Sequence, residues 1–217
     1  MAVLEHATRV SRFIGLSTDT KPVSVVGGRI VAPGSTFLEY DTGQLFITYD
    51  GTNWVRKDTL VAGVIKTVSV TKALAAAGNY AAEDVLSESA TVGTAWTFSA
   101  VARANSMGGY ITKAHAICET TGLAPRLTLY LFTATPTSAL NDNVANTALL
   151  HADLANYVGK IDFPALEDLG GDSEAVATPS TYGNLPLAFV CAGGVDDLFG
   201  ILVTRDAITA EVAGDDM

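Results

Sequence analysis

Three histidines, two cysteines and a few runs of acids are the residues with which this chain could do chemistry. His6, His115 and His151 lie far apart in sequence, with neither the i, i+4 spacing of a helical metal pair nor a close second ligand. They read as isolated surface or core histidines. No serine stands in the G-x-S-x-G elbow that aims a hydrolase nucleophile at its histidine and acid. There is no P-loop and no G-x-G-x-x-G, so phosphate or dinucleotide binding is unsupported. The acidic stretch Glu167-Asp168-Leu169-Gly170-Gly171-Asp172-Ser173-Glu174 and the pairs Asp196-Asp197 and Asp215-Asp216 carry the oxygen ligands that Ca²⁺ takes. Calcium needs six or more converging oxygens, and none of these runs has the EF-hand pattern, so solvated acidic loops are expected. A glycosidase needs two carboxylates flanking a sugar cleft, and nothing sets these loops opposite one another. Tyr40, Tyr49, Trp54, Trp96, Tyr110 and Tyr130 have faces on which sugars stack, but half-buried strand aromatics more often anchor a core or an interface. The expectation is a protein that is not an enzyme and holds no cofactor or metal.

The composition sets the frame for these residues. A chain of 217 residues makes one sizeable domain or two small ones. Apolar residues are 48%, charged residues 17%, and the mean hydropathy is +0.30. Such a chain buries a large core or hides surface in an assembly. No apolar run reaches the ~18 residues that span a bilayer. The first residues, MAVLEHATRVSRFIG, contain Glu5, Arg9 and Arg12 and lack the apolar core of a secretory signal. Cys118 and Cys191 are too few for a disulfide framework, and both sit in apolar strand-like runs, which suits buried free thiols. Charge is unevenly placed. Residues 1–62 hold six Lys/Arg and six acids, a net of 0; residues 63–217 hold seven and seventeen, a net of −10. An acidic domain repels nucleic acid. No membrane or nucleic-acid partner is expected.

The elements that must position these residues are mostly strands. Residues 1–35 carry the breakers Gly27-Gly28 and Pro33-Gly34 and no strong period, and read as an extended arm laid on a partner, with short strand-like pieces at 23–26 and 30–31. Residues 34–57, GSTFLEYDTGQLFITYDGTNWVRK, form a three-stranded β-meander with turns at Asp41-Thr42-Gly43 and Asp50-Gly51-Thr52-Asn53. Within it Leu45, Ile47 and Tyr49 share one face and Phe46 and Thr48 the other; Trp54 and Arg56 oppose Val55 and Lys57. Three short strands build little core alone. A connector follows at 58–64. Beyond it, strands are predicted at 64–70, 96–102, 110–118, 127–133, 157–163, 185–191, 198–204 and 207–212. Helical pieces are expected at 143–149, at 152–156 as a turn, and within the alanine-rich 73–82. The fold class is all-β: an N-terminal arm and meander over 1–62, then an antiparallel, jelly-roll-like β-sandwich over 63–217.

The meander resembles a small unit that recurs in structural proteins of tailed bacteriophages. A second resemblance begins at Tyr80. NYAAEDVLSE (79–88), WTFSAVARANSMGGYITKAHAI (96–117), LTLYLFTATPTSALNDNVAN (127–146), LPLAF (185–189) and LFGILVTRDAIT (198–209) follow the order of a domain widespread among phage virion proteins. The resemblance covers about two thirds of the chain and implies a virion protein, often trimeric, with no catalytic residues. The expected role is a capsid decoration or cement protein on the phage surface, made in the bacterial cytoplasm. Its partner would be the major capsid protein or another virion protein, and its state a homotrimer. A tail, fibre or baseplate component and a glycan-binding surface module are the alternatives. The residues expected at the interface are Arg9, Arg12, Phe37, Tyr40, Phe46, Tyr49 and Trp54.

Overall fold

The computed structural model describes residues 10–23, 25–57, 65–75, 78–168, 170–179 and 184–217. Arg9 and the expected connector 58–64 lie outside the described residues. The described chain is almost entirely β, as expected, and falls into two compact units, Met1–Gly63 and Val64–Met217.

Among the described residues the N-terminal unit has six strands: β1 (Arg12–Gly15), β2 (Val25–Val26), β3 (Arg29–Ile30), β4 (Thr36–Glu39), β5 (Leu45–Thr48) and β6 (Trp54–Arg56). The meander β4–β5–β6 forms with both predicted turns. In the second turn the Asp50 carboxylate accepts the N–H groups of Thr52 (2.8 Å) and Asn53 (2.7 Å), which closes the bend on itself. Gly51 takes φ +78°, and a Cβ there would lie 2.3 Å from the Val31 carbonyl oxygen, so no other residue fits. The arm departs from expectation. Its residues Arg12–Gly15 pair in parallel with β4, Phe13 opposite Phe37, and make the sheet four-stranded in the order β1-β4-β5-β6. The physical reason is an edge: β4 has a free side, and the arm's Phe13 adds an aromatic ring to the small core behind it. This part of the arm is ordered by its own unit. The hairpin β2–β3 turns at Gly27-Gly28 and pairs only with itself among the described residues.

Among the described residues the second unit has twelve strands: β7 (Gly78–Tyr80), β8 (Val85–Leu86), β9 (Trp96–Phe98), β10 (Gly108–Ile111), β11 (Ala114–Cys118), β12 (Arg126–Phe132), β13 (Tyr157–Ala165), β14 (Glu167–Asp168), β15 (Ser173–Ala177), β16 (Leu187–Val190), β17 (Leu198–Thr204) and β18 (Ile208–Glu211). All their pairings are antiparallel. A five-stranded sheet runs β13-β12-β17, with β8 and β9 end to end along the far edge of β17. Its inner face carries Leu127, Leu129, Leu131, Ile161, Phe163 and Leu202. These pack against Ala116 and Cys118 of β11 and Ala175 and Ala177 of β15, in a sandwich-like core. Gly200 sits where a Cβ would lie 2.8 Å from Leu129 Cδ1, so close packing under Trp96 and Phe98 requires glycine there.

The outer face of the same sheet is also covered. Val85, Phe132, Ile201 and Val203 are buried beneath Ala139, Leu140 and Ala148 of the long connection between β12 and β13. That connection holds no helix at 143–149. Asn143 takes φ +55°, and the segment is pinned along β8 by Asn143 N–H to the Val85 carbonyl and Val85 N–H to the Val144 carbonyl, both 2.9 Å. Its Asn and Asp residues favour such local bonding over a helix. The expected turn at 152–156 is a 3₁₀ turn, His151–Asn156. In the alanine-rich stretch, Ala73 bridges Asp216 and residues 78–80 are β7. Three predicted strands change. The 96–102 strand ends at Phe98, because Ala100 takes φ +56° and gives its N–H to Asp197. The 110–118 strand breaks at Thr112-Lys113 into β10 and β11, which join different sheets. Of the predicted 64–70 strand, residue 64 lies outside the described residues, and 65–70 pair with none of the described residues and form no strand.

Candidate functional site

Alternate residues of a strand point to opposite faces, and cross-strand neighbours share a face. In the N-terminal sheet the register lines up Phe13, Phe37, Phe46 and Arg56, with Glu39, Thr48 and Trp54 on the same side. This side is closed by the sheet's own chain. Phe37, Glu39 and Thr48 are buried. The Trp54 ring meets Phe13 and Phe37 edge-on, each with centroids 6.1 Å apart, and its indole N–H donates to the Pro22 carbonyl oxygen at 2.6 Å. The loop before Pro22 lays the Lys21 ammonium 4.0 Å from the Phe46 ring centroid and 2.6 Å from the Glu39 carboxylate. The Lys21 hydrogen bond, helped by the Thr42 hydroxyl, holds the Glu39 carboxyl below its ordinary value.

The other side is open. One row holds Ile14, Leu38 and Leu45; the next holds Arg12, Thr36, Ile47 and Val55. Ile14 is 68% exposed, Val55 52% and Leu38 37%, while Leu45 and Ile47 are half-buried. Tyr49, two residues beyond Ile47, is 69% exposed. Four strands ~4.8 Å apart and four residues long at ~3.3 Å each give this face a footprint of roughly 250 Å². It is almost wholly apolar, with Arg12 at its rim.

The expected interface residues divide between the two sides. Arg12 and Tyr49 belong to the open face, and Tyr40 is exposed at the turn after β4. Phe37 is buried, and Phe46 and Trp54 are half-buried on the covered face, where the three pack in the unit's small core. Arg9 is outside the described residues. Sequence reasoning passed over Ile14, Leu38 and Val55. The signal for this exposed row was present in the alternation that sets Val55 against Trp54.

The residues first considered for chemistry are scattered. His115 Nε2 lies 3.0 Å from the Glu174 carboxylate across β11 and β15, both partly exposed. His151 is exposed in the 3₁₀ turn, and His6 is outside the described residues. Part of the acidic stretch 167–174 is the hairpin β14–β15. Asp197 accepts the Ala100 N–H, and Asp215 accepts the Thr120 hydroxyl at 2.6 Å. Buried acids fasten loops. Asp153 accepts from the N–H and hydroxyl of both Thr137 and Ser138, and Asp142 accepts the Ser87 N–H at 2.7 Å. Burial would raise the Glu88 carboxyl, but hydrogen bonds from Lys72, Ser87 and Thr94 outweigh it and hold it at about 2. Cys118 and Cys191 are buried, and burial pushes the Cys191 thiol up, with Asp196 and Asp197 adding to it. Among the described residues no three His, Cys, Asp or Glu side chains converge as a metal site, and no helix is long and apolar enough to cross a membrane. Comparison with protein families, curated proteins and solved structures gives no match.

Proposed function

We propose that this chain is a non-enzymatic structural protein of a tailed-phage particle, a decoration or cement protein that docks on the capsid through its N-terminal unit. The observation that carries the reading is the open face of Ile14, Leu38, Leu45, Ile47 and Val55 on a sheet whose other face is already closed. A sheet that spends its aromatics on its own core and leaves its aliphatics bare is built to lie on another surface. The ordered resemblance of 79–209 to virion domains supplies the setting, with a jelly-roll-like outer domain, a trimeric state and the capsid protein as partner.

Magnitude favours an array over a free pair. Two faces of this footprint bury roughly 500 Å² together, about half of what a stable isolated complex needs. Many copies on a shell, each held at high effective concentration by its neighbours, make such a contact sufficient. The acidic second unit then projects outward and keeps particles apart by like charge.

The test is rebinding to particles that lack the protein, at low and high salt. Apolar docking should persist at ~1 M salt, where the Debye length has fallen to ~3 Å. Val55→Lys should abolish it. Release of the wild-type protein at high salt, or full occupancy by Val55→Lys, overturns the reading. Quantitative mass spectrometry separates head from tail: copy number should match the shell subunits and not the tail parts.

A further inference from the structure

The open face of the N-terminal sheet is charged only at its two borders, and with one sign. Arg12 stands on β1, and Lys57 follows β6, where its N–H donates to the Leu45 carbonyl at 2.6 Å and extends the β5–β6 register by one residue. Alternation sets the Lys57 side chain on the side of Val55 and Leu45. β1 and β6 are the sheet's outer strands, so three strand spacings, roughly 14 Å, separate the two cations. Between them lie Ile14, Leu38, Leu45, Ile47 and Val55. No acid occupies an outward position on the four strands; Glu39, the one acid within them, is buried on the covered side.

Both cations are exposed, and neither has a carboxylate partner among the described residues. The acids that could have served are taken. Glu39 holds Lys21, Asp41 accepts the N–H and hydroxyl of Ser17, Asp19 accepts the Leu16 N–H, and Asp50 closes its own turn. In the second unit Lys72, Arg126, Lys160 and Arg205 each have an ion-pair partner within the chain. An aliphatic strip framed by two unpaired cations narrows what can cover it. Two copies laid face to face would bring four cations together with no acid between them. A bilayer is entered by Trp and Phe as well as Leu, and Phe13, Phe37, Phe46 and Trp54 are all on the covered side. A protein surface with an apolar centre and acidic borders matches both the strip and its frame.

We propose that the open face docks on a protein surface whose apolar centre is flanked on two sides by carboxylates, one side meeting Arg12 and the other Lys57. The inference rests on the docking reading above and adds the partner's charge and the line along which the sheet lies across it. The rim charges stay partly hydrated, so they steer the encounter and exclude partners with basic borders, while the aliphatic strip holds the complex once formed. Charge thus acts on the association rate and apolar contact on the dissociation rate.

The test follows the full-length chain binding to particles that lack it, with association and dissociation rates read separately. At low salt the double variant Arg12→Glu/Lys57→Glu should associate about tenfold more slowly than the wild type, with little change in dissociation, and should lose the wild type's slowing by added salt. Arg12→Gln/Lys57→Gln should show the same effect at smaller size, and amide exchange of β4 and β5 checks that both variants are folded. Arg12→Lys should bind at the wild-type rate. Treated on the particle with a carbodiimide, which joins amines to carboxylates, it should cross-link to Asp or Glu of a particle protein through both positions 12 and 57, located by mass spectrometry. A charge-reversed variant that associates as fast as the wild type overturns the proposal, even where Val55→Lys fails to bind and the docking reading stands. Cross-links from position 57 only to the chain's own residues 63–217, or equal binding to vesicles of anionic lipid, overturn it too. A wild type that does not bind particles overturns both.

Discussion

Trp54 and Val55 are neighbours in β6, and their replacement should have opposite consequences. Trp54 stands on the covered face between Phe13 and Phe37. Trp54→Ala removes two edge-on ring contacts, each ~0.5–1.5 kcal/mol beyond area burial. It also removes the indole bond to the Pro22 carbonyl, ~0.5–1.5 kcal/mol, along with part of a large buried ring. The total lies near the ~3–5 kcal/mol of aromatic-to-alanine changes in cores. A unit the size of Met1–Gly63 has a core that rarely supplies more than ~3–5 kcal/mol in all. Trp54→Ala should therefore unfold the N-terminal unit. Val55 is 52% exposed on the open face, and Val55→Lys should change the stability of the free protein by no more than ~0.5 kcal/mol. Docked, the same lysine would bury an unpaired ammonium, which costs several kcal/mol.

Amide hydrogen exchange separates these outcomes within single molecules. In Trp54→Ala the amides of β4 and β5 should exchange at free-chain rates while those of β12 stay protected. In Val55→Lys both sets should match the wild type, and only particle binding should fail. If Trp54→Ala keeps β4 and β5 protected, the aromatic cluster is not the core of this unit. If Val55→Lys loses that protection, the face assigned as open is covered in the free protein.

Three further outcomes follow from the second unit. Asp153→Ala leaves four donors of Thr137 and Ser138 without their acceptor and should lower unfolding free energy by ~3 kcal/mol or more, read by denaturant titration. Gly200→Val forces a Cβ to 2.8 Å from Leu129 Cδ1 and should cost ~1–3 kcal/mol in the same assay, with Leu129→Ala restoring part of it. The folded Glu88 carboxyl sits at about 2, below its ordinary 4.5. Its stabilisation is thus fully present above pH 4.5 and is lost as the pH falls toward 2. Glu88→Gln should flatten the acid limb of stability against pH between those values, and an unchanged limb would mean that Lys72 and Thr94 hold the loop without it.

The fold was legible where the sequence signal is local. Alternation in 127–133 and 198–204 placed β12 and β17 to within a residue, and the Asx turns placed β4, β5 and β6. The errors arose where a segment's partner decides its form. Asn143 and its neighbours read as a short helix, yet the apolar outer face of β12 and β17 needed a cover, and the segment is laid flat along β8 to provide it. Residues 64–70 read as a strand, but pairing depends on what lies alongside and no single segment records that. The strands β14 and β15 were missed because Gly170, Gly171 and the acids around them look like a loop, and the hairpin is built from that loop's flanks.

The site shows the same limit more sharply. Alternation separates the two faces of a sheet but carries no sign for which face is covered. Aromatic content suggested that Phe37, Phe46 and Trp54 faced a partner. The decision was made elsewhere, by Lys21 and Pro22, 14 or more residues upstream of Thr36, where the meander's first strand begins. Their loop carries an ammonium whose charge is met by Glu39 and two ring faces, and a carbonyl that meets the one polar atom of Trp54. Only the aromatic face offers those partners, a carboxylate, ring faces and an indole N–H; the aliphatic face offers Ile14, Leu38, Ile47 and Val55, which can match neither a charge nor a carbonyl. The loop therefore closes over the rings, and the aliphatic face is left bare. A polar residue distant in sequence thus determines which apolar face stays open, so the open face is read from register and not from residue type.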